Sequence, residues 1–242
     1  MATRRAESLP QLLIGLLALA VAVVLAALFV SSAVKAVKRS RDTITVTGSA
    51  KRPITADLVT WHLSVSSADT DPAVASRVLR INGDKVRRFL HDAGLEVKEP
   101  PIATEQSTEK QGGVRVAVYT LTQDFDVTTK EIDKAEAAAG KVNTLFEQGI
   151  AVSAEPLQYV STQLGQARIE ALKQATADAK RRAQTLVQGL GGHLGAARRA
   201  DVGVFQITPR NSTDVSDYGI NDTSSREKDV TAVVTVTFGL SS

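Results

Sequence analysis

The 242-residue sequence contains no cysteine. Disulfides, thiolate catalysis and cysteine-based metal sites are therefore excluded, and the composition fits an oxidising compartment without requiring one. Aromatic residues make up only 4% of the chain, which leaves few platforms for stacking nucleic-acid bases. The net charge of +3 is also too small to indicate a nucleic-acid partner.

Recognisable catalytic and metal-binding motifs are missing as well. The histidines, His62, His91 and His193, have no HExxH-like spacing. The glycine-rich segment 189–195 lacks the GxGxxG spacing and follows a predicted helix, so it is interpreted as a helix stop. Asp124 and Asp126 share a face of a predicted strand, about 7 Å apart. They could bind a cation, take part in acid–base chemistry or simply belong to a solvated face of the sheet. We therefore predict no catalytic residue, no metal, no cofactor, no small-molecule substrate and no enzymatic activity.

Residues 12–30 form a continuous apolar run, LLIGLLALAVAVVLAALFV. At about 1.5 Å per residue the run is roughly 28 Å long, close to the ~30 Å hydrocarbon thickness of a bilayer. It predicts a short tail over 1–11 and a transmembrane helix over 12–34. A retained anchor is favoured over a cleaved signal peptide, whose apolar region is usually only ~7–15 residues long. The predicted anchor residues are Leu12, Leu16, Leu19, Val23, Leu28 and Val30.

A basic linker over 35–42 follows the predicted span. Its cations, which we expect to meet lipid headgroups, are Lys35, Lys38, Arg39 and Arg41. Because only Arg4 and Arg5 precede the span, the positive-inside rule alone would place the large domain in the cytosol.

The remaining chain, 43–240, predicts an α+β domain of largely antiparallel sheets packed with three helices, because strands and helices alternate while hairpins are frequent. The first helix is expected to start at Asp71 and Pro72, an N-cap followed by a proline at the first helical position. Its predicted apolar stripe includes Val74, Val78, Ile81, Val86 and Leu90. The expected strands are 43–48, 58–66, 102–111, 114–127, 150–162, 200–208 and 230–238, and the other helices are 130–148 and 163–190. Residues 51–54 are expected to form a turn or bulge.

Strands 102–111 and 114–127 are expected to form a hairpin around Gly112-Gly113. Early in its second strand the apolar residues lie on the opposite parity, so that part is either buried on both faces or reset by a bulge; they are Val114, Val116 and Val118. The apolar residues of the last strand, 230, 232, 234, 236 and 238, share one parity.

Two further features concern packing and contacts. The last helix carries alanines four residues apart, a smooth ridge that lets a sheet or another helix approach closely; they are Ala167, Ala171, Ala175, Ala179 and Ala183. The polar stretch 209–229 is too long for an ordinary turn. It is expected either to be disordered or to order against a neighbouring subunit through Val215, Tyr218 and Ile220.

Several of these segments, taken in order, resemble a known family. They are Val46-Thr-Gly48, the step from Ala56-Asp57 into Val59-Thr-Trp61, Tyr119, the helix from Ala167 to Ala183, Gly191–Gly195 and 200–207. Their order and spacing are similar to the SIMPL-domain family, formerly a domain of unknown function, which includes a periplasmic antigen of Brucella. The resemblance covers 43–240 and is strongest to the single-span, membrane-anchored subgroup.

The resemblance implies a periplasmic α+β domain, large ring- or channel-like homo-oligomers and an association with the cell envelope and oxidative stress. It implies no catalytic residues. We therefore expect a non-enzymatic protein of the bacterial inner membrane with its large domain in the periplasm, where it self-assembles into a ring or cage. The alternative is a monomeric or small-oligomer binding module for a protein or lipid partner. An enzyme that uses Asp124 and Asp126 or the histidines is the least favoured alternative.

Overall fold

The structure, a computed structural model, describes residues 15–17, 19–23 and 42–241. Residues 15–17 and 19–23 are helical with exposed side chains, and they include the anchor residues Leu16, Leu19 and Val23. Within the described ranges, no helix is long and apolar enough to span a membrane. The other predicted anchor and headgroup residues, Leu12, Leu28, Val30, Lys35, Lys38, Arg39 and Arg41, lie outside the described residues.

Residues 42–241 form eleven strands and four helices. The strands are β1 (Thr43–Thr55), β2 (Leu58–Asp69), β3 (Val97–Lys98), β4 (Ala103–Gln111), β5 (Val114–Thr129), β6 (Val152–Ala154), β7 (Gln158–Val160), β8 (His193–Val202), β9 (Gln206–Pro209), β10 (Ile220–Asn221) and β11 (Glu227–Ser241). The helices are α1 (Pro72–Asp92), α2 (Ile132–Ala139), α3 (Asn143–Glu147) and α4 (Leu164–Gly189). The α+β class is confirmed, and one predicted helix, 130–148, is replaced by the two short helices α2 and α3.

The chain divides into two compact units. The first unit contains the described residues of Met1–Ser49 with Gln174–Gly203 and the described residues of Val233–Ser242. The second unit contains Ala50–Lys173 and Val204–Ala232.

The second unit contains a six-stranded sheet in the order β3-β5-β2-β6, in which β4 also pairs with β5 and β7 with β2. All of these pairs are antiparallel. Alternate residues of β2 and β5 are buried in one hydrophobic core, as expected for a sheet with one covered face. Members of this core include Trp61, Leu63, Leu79, Leu90 and Phe125.

Helix α1 begins as the sequence predicts. The Asp71 side chain accepts a hydrogen bond from the Ala73 N–H at 2.8 Å, and Pro72 occupies the first turn. The predicted stripe is partly wrong, because Val78 and Ile81 are 41% and 51% exposed. The face that packs in the core instead consists of Ala75, Leu79, Gly83, Val86 and Leu90.

The predicted hairpin of β4 and β5 is confirmed. Gln111 pairs with Val114, and the two intervening residues, Gly112 and Gly113, have φ of 59° and 89°. These values fit a two-residue type I′ turn, which requires a positive φ at both positions. Neither a bulge nor burial on both faces explains the apolar residues of early β5: the pairing runs without a register shift, and Val114 is 64% exposed.

The first unit packs strands against the second half of α4. Val234, Val236 and Phe238 of β11 are buried, which confirms the predicted inward parity of the last strand. On the opposite parity, Thr45 and Thr47 of β1 hydrogen-bond Thr237 and Thr235 of β11. The five alanines of the predicted ridge are all buried, and Gly48 of β1 lies directly against the α4 backbone at Ala175 and Ala179. Close approach along the alanine row is therefore confirmed.

Two of the strand boundaries that differ from the predictions bear on the site. Residues 51–54, expected as a turn or bulge, continue strand β1. The predicted strand 200–208 is divided into β8, which begins at His193, and β9.

Candidate functional site

The polar stretch 209–229 is folded against its own chain. Gln206 of β9 donates from Nε2 to the Ser216 carbonyl at 2.7 Å and accepts from the Ser216 N–H at 3.3 Å. Within the stretch, Ile220 and Asn221 form β10, which pairs in parallel with β9. Farther along, the Asp222 carboxylate accepts hydrogen bonds from Ser224. These contacts contradict disorder, which was one of the two alternatives for this stretch.

The three predicted contact residues have unequal exposure. Val215 is 80% exposed and Tyr218 is 97% exposed, whereas Ile220 is half-buried in β10. We call Val215 and Tyr218 the apolar knob. It consists of two large, mostly exposed side chains on a backbone that hydrogen bonds hold in place.

The structure brings one histidine to the acidic pair that the sequence suggested. Asp124 and Asp126 lie on β5, and His62 lies opposite Asp126 on the neighbouring strand β2. His62 Nδ1 is 2.8 Å from Asp126 Oδ1, and His62 Nε2 is 3.7 Å from Asp124 Oδ1. His91, with a side chain 88% exposed, and His193, at the start of β8, do not join the cluster in these contacts.

The His62 cluster favours a charged imidazole. The hydrogen bond to Asp126 raises the pKa of His62 above its usual value, and burial opposes this only in part. The negative charges of Asp124 and Glu155 act in the same direction. Among the described residues no group of three histidine, aspartate or glutamate side chains has a geometry that would hold a metal ion. The arrangement is a hydrogen-bonded cluster between two strands, which becomes an ion pair when His62 is protonated.

The His62 cluster should make stability depend on pH. Because the folded-state pKa of His62 is raised, its stabilising effect is complete below about pH 6.5, the usual unfolded value, and is lost as the pH rises through the folded-state pKa. We expect an NMR titration to give a His62 pKa above that of the Asp126→Asn variant. A His62→Gln variant assigns the resonance. Equal pKa values in the two proteins would contradict this account.

A buried ion pair was missed by the sequence analysis. Lys228 of β11 and Asp222 have side chains only 3% and 8% exposed, with Nζ 3.6 Å from Oδ2. Lys228 Nζ also donates to the Asp222 carbonyl. Burial lowers the pKa of Lys228, although Asp222 opposes this. Burial raises the pKa of Asp222. Hydrogen bonds from Ser224 and Ser225, together with the charge of Lys228, lower it by a larger amount, so the pKa of Asp222 lies below its usual value.

A signal for Lys228 was present in the sequence. Residues 230, 232, 234, 236 and 238 share the inward parity of the last strand, and extending this alternation by one step places residue 228 inward too. The prediction began the strand at Val230 because residue 228 was assigned to the polar stretch 209–229.

A cleft of about 600 Å³ lies beside β1 in the second unit. Strand β1 contributes Arg52–Thr55, followed directly by Ala56 and Asp57. The first turns of α4 contribute Gln166, Ala167 and Glu170, and Gln163 lies just before the helix. Its remaining lining residues are Ser161 and Arg210. The cleft was not predicted from the sequence, because residues 51–54 were expected to form a turn or bulge.

Comparison with known proteins gives a family but no activity. The model of the SIMPL family, described as a protein of unknown function (DUF541), matches residues 44–238. No curated protein shows a significant match. Among solved structures, the ligand-free regulatory subunit of aspartate kinase from Thermus thermophilus is 16% identical over 80% of this chain and 88% of that chain. Its TM-score of 0.20 supports no argument about fold or function. Because the family match extends over most of the chain, the protein belongs to the SIMPL family.

Proposed function

We propose that the chain is a non-enzymatic, membrane-anchored protein of the bacterial cell envelope that self-assembles into a large homo-oligomeric ring or cage. In this proposal residues 12–34 anchor it in the inner membrane, the basic linker 35–42 contacts lipid headgroups, and the SIMPL domain lies in the periplasm. The association with envelope or oxidative stress rests on the family resemblance alone.

The observation that supports self-assembly most strongly is the apolar knob. The side chains of Tyr218 and Val215 are largely exposed to solvent. Two hydrogen bonds with Gln206 hold the adjoining backbone at Ser216 in place. A side chain on a backbone that is already ordered loses less conformational entropy on binding than one on a disordered segment. Tyrosine is also enriched among residues that contribute most to interface affinity. The knob therefore has the physical character of a preformed contact.

A second copy of the chain is the proposed partner because anchoring concentrates identical chains. Copies attached to one membrane meet at a high effective concentration, so weak contacts repeated around a ring suffice for assembly. A contact between the knob and a different surface of the next subunit is head-to-tail, and such contacts close into rings when the rotation permits.

Light scattering on the gently solubilised full-length protein, with the detergent contribution subtracted, tests this proposal. We expect a mass many times 25.7 kDa. Replacing both Val215 and Tyr218 by serine should reduce the mass to one or a few subunits. The matched control is Ile81→Ser, which removes a half-exposed apolar side chain from α1 and should leave the mass unchanged.

Two outcomes would contradict the proposal. A wild-type mass of one or two subunits would overturn self-assembly and favour the binding-module alternative. A large assembly that persists in the Val215→Ser/Tyr218→Ser variant would show that the knob does not hold the subunits together.

A further inference from the structure

Within residues 42–241, strand β1 has no strand neighbour on one edge in the second unit, and we call this edge the free edge. It lies at the end of the sheet order β1-β11-β9-β10, so β11 is its only strand neighbour in that order. The Ala56 N–H donates to the Arg226 carbonyl at 2.8 Å, directed toward β11. Because peptide groups alternate in direction along a strand, the N–H groups of Lys51 and Thr55 and the carbonyls of Lys51, Pro53 and Thr55 are directed away from β11.

The 600 Å³ cleft follows this free edge. Arg52 and Ile54 project from one face of the sheet, whereas Pro53 and Thr55 project from the other, yet all four line the cleft. A cavity reached by both parities of a strand lies along its edge. Helix α4 forms the opposite wall, where the small side chain of Ala167 leaves room. The edge residues 51–55 of the strand are about 16 Å long, and beyond them the Asp57 N–H donates to the Val160 carbonyl at 3.1 Å.

A strand edge beside a helix is one of the recurrent geometries for peptide recognition. An extended peptide can add to the sheet through backbone hydrogen bonds, while side-chain contacts in the groove supply specificity. Pro53 offers no N–H on the free edge, and proline at such an edge protects against indiscriminate pairing. Strand addition at β1 therefore needs contacts from the cleft in addition to the remaining backbone groups.

The charges of the cleft indicate one such contact. Glu170 pairs with Lys173, Arg210 pairs with Glu227, and Asp57 accepts hydrogen bonds from Thr162. Arg52 is the lining cation that makes no hydrogen bond or ion pair with any described residue. A carboxylate is the natural partner for this unpaired guanidinium.

We propose that the cleft binds an extended peptide segment of another protein, which adds to β1 as a further strand and places a carboxylate side chain at Arg52. This site adds a second function to the assembly proposed above and uses neither residue of the apolar knob. Among the described residues that line the cleft, only one cation is unpaired, which favours a single carboxylate over a phosphate group that recruits several donors.

Selection from a displayed library of random octapeptides, with the full-length protein in detergent, tests this site. We expect the selected peptides to share residues of high β-propensity and an aspartate or glutamate at one position. Fluorescence anisotropy with the synthetic peptides should show at least tenfold weaker binding to Arg52→Glu and to Gln163→Trp, which fills the cleft. The matched controls, Arg80→Glu on α1 and Gln174→Trp on α4 outside the cleft lining, should change affinity less than twofold.

Methylation of single peptide nitrogens separates strand addition from other modes of binding. Methyl groups on alternate residues should weaken binding tenfold or more, because they remove hydrogen bonds to β1, while those on the intervening residues should be tolerated. Equal effects at both parities would overturn strand addition. The site would be overturned if no selected peptide bound the wild-type protein more tightly than the Gln163→Trp variant. It would also be overturned if the Arg52→Glu variant bound the peptides with unchanged affinity.

Two results keep this site distinct from the proposed assembly. The Val215→Ser/Tyr218→Ser variant should bind the selected peptides with unchanged affinity whatever its mass, and loss of binding there would overturn the independence of the two surfaces. A selected consensus that matches a segment of this chain would make a second copy, and not another protein, the occupant.

Discussion

Replacing Gly48 by alanine is expected to lower the free energy of unfolding by about 3 kcal/mol, at the upper end for overpacking a core. A Cβ atom at this position would lie 2.3 Å from the Ala175 carbonyl oxygen and 2.3 Å from the Ala179 nitrogen. Both atoms belong to the helix backbone, so no side-chain rotation can relieve the contact. Helix α4 would have to move away from β1, which would leave gaps beside the buried alanines Ala175 and Ala179.

Urea unfolding followed by far-UV circular dichroism measures this loss. The matched control is Gly165→Ala in α4, where an added Cβ meets nothing within 4 Å. That substitution should be neutral or stabilise by up to about 1 kcal/mol, because alanine favours a helix over glycine. A Gly48→Ala protein as stable as the wild type would show that α4 does not approach β1 as closely as the structure describes.

The features that sequence predicted correctly are those with a local cause. The period-two pattern of the last strand, the Asp71-Pro72 helix start and the Gly112-Gly113 turn each depend on a few neighbouring residues. The close packing along the alanine ridge of α4 could also be predicted, because small side chains spaced four residues apart let another element approach the helix backbone.

Errors arose where distant parts of the chain decide the outcome. On α1, the apolar side chain of Ile81 remains exposed while Gly83 is buried, because the sheet places Phe125 next to Gly83. A pattern of hydrophobic residues does not count a glycine as buried. The predicted face of α1 was therefore centred on Val78 and Ile81, and not on Leu79 and Gly83. The size of Phe125 and the absence of a Cβ at Gly83 together determine which face packs.

The candidate sites follow the same division. Asp124 and Asp126 could be placed on one strand face from sequence, but the position of His62 opposite them depends on the pairing register of β2 and β5. The free edge beside Arg52 likewise depends on which strand ends the sheet. No local sequence pattern encodes the register of β2 and β5 or the position of β1 at the end of its sheet. By contrast, the exposure of Val215 and Tyr218 follows from the polar composition of the residues around them.

The second large effect concerns the buried pair of Lys228 and Asp222. Asp222→Asn is expected to lower the free energy of unfolding by about 3 kcal/mol, since removing one partner leaves a buried charge without compensation. Lys228→Met should cost less, about 1 kcal/mol, because methionine fills similar space without a charge. Asp222 then still accepts hydrogen bonds from Ser224 and Ser225.

The pH dependence of the Asp222→Asn variant identifies the cause of its loss. Burial lowers the pKa of Lys228 in the folded protein, so the unfolded chain binds more protons between that lowered pKa and the usual lysine value of about 10.4. Stability should therefore rise with pH across this interval. The Asp222→Asn/Lys228→Met double variant, which lacks the cation, should show a smaller rise and about the stability of Lys228→Met alone.

Urea unfolding at pH 7 and pH 10, followed by the fluorescence of the buried Trp61 in the same unit, measures both effects. Two results would contradict the account: equal losses in Asp222→Asn and Lys228→Met at pH 7, or no greater recovery of Asp222→Asn at pH 10 than of the double variant. Either would mean that the lysine charge carries no penalty once its carboxylate is removed. Water or the Asp222 carbonyl, which the asparagine retains, would then be enough to solvate the ammonium group.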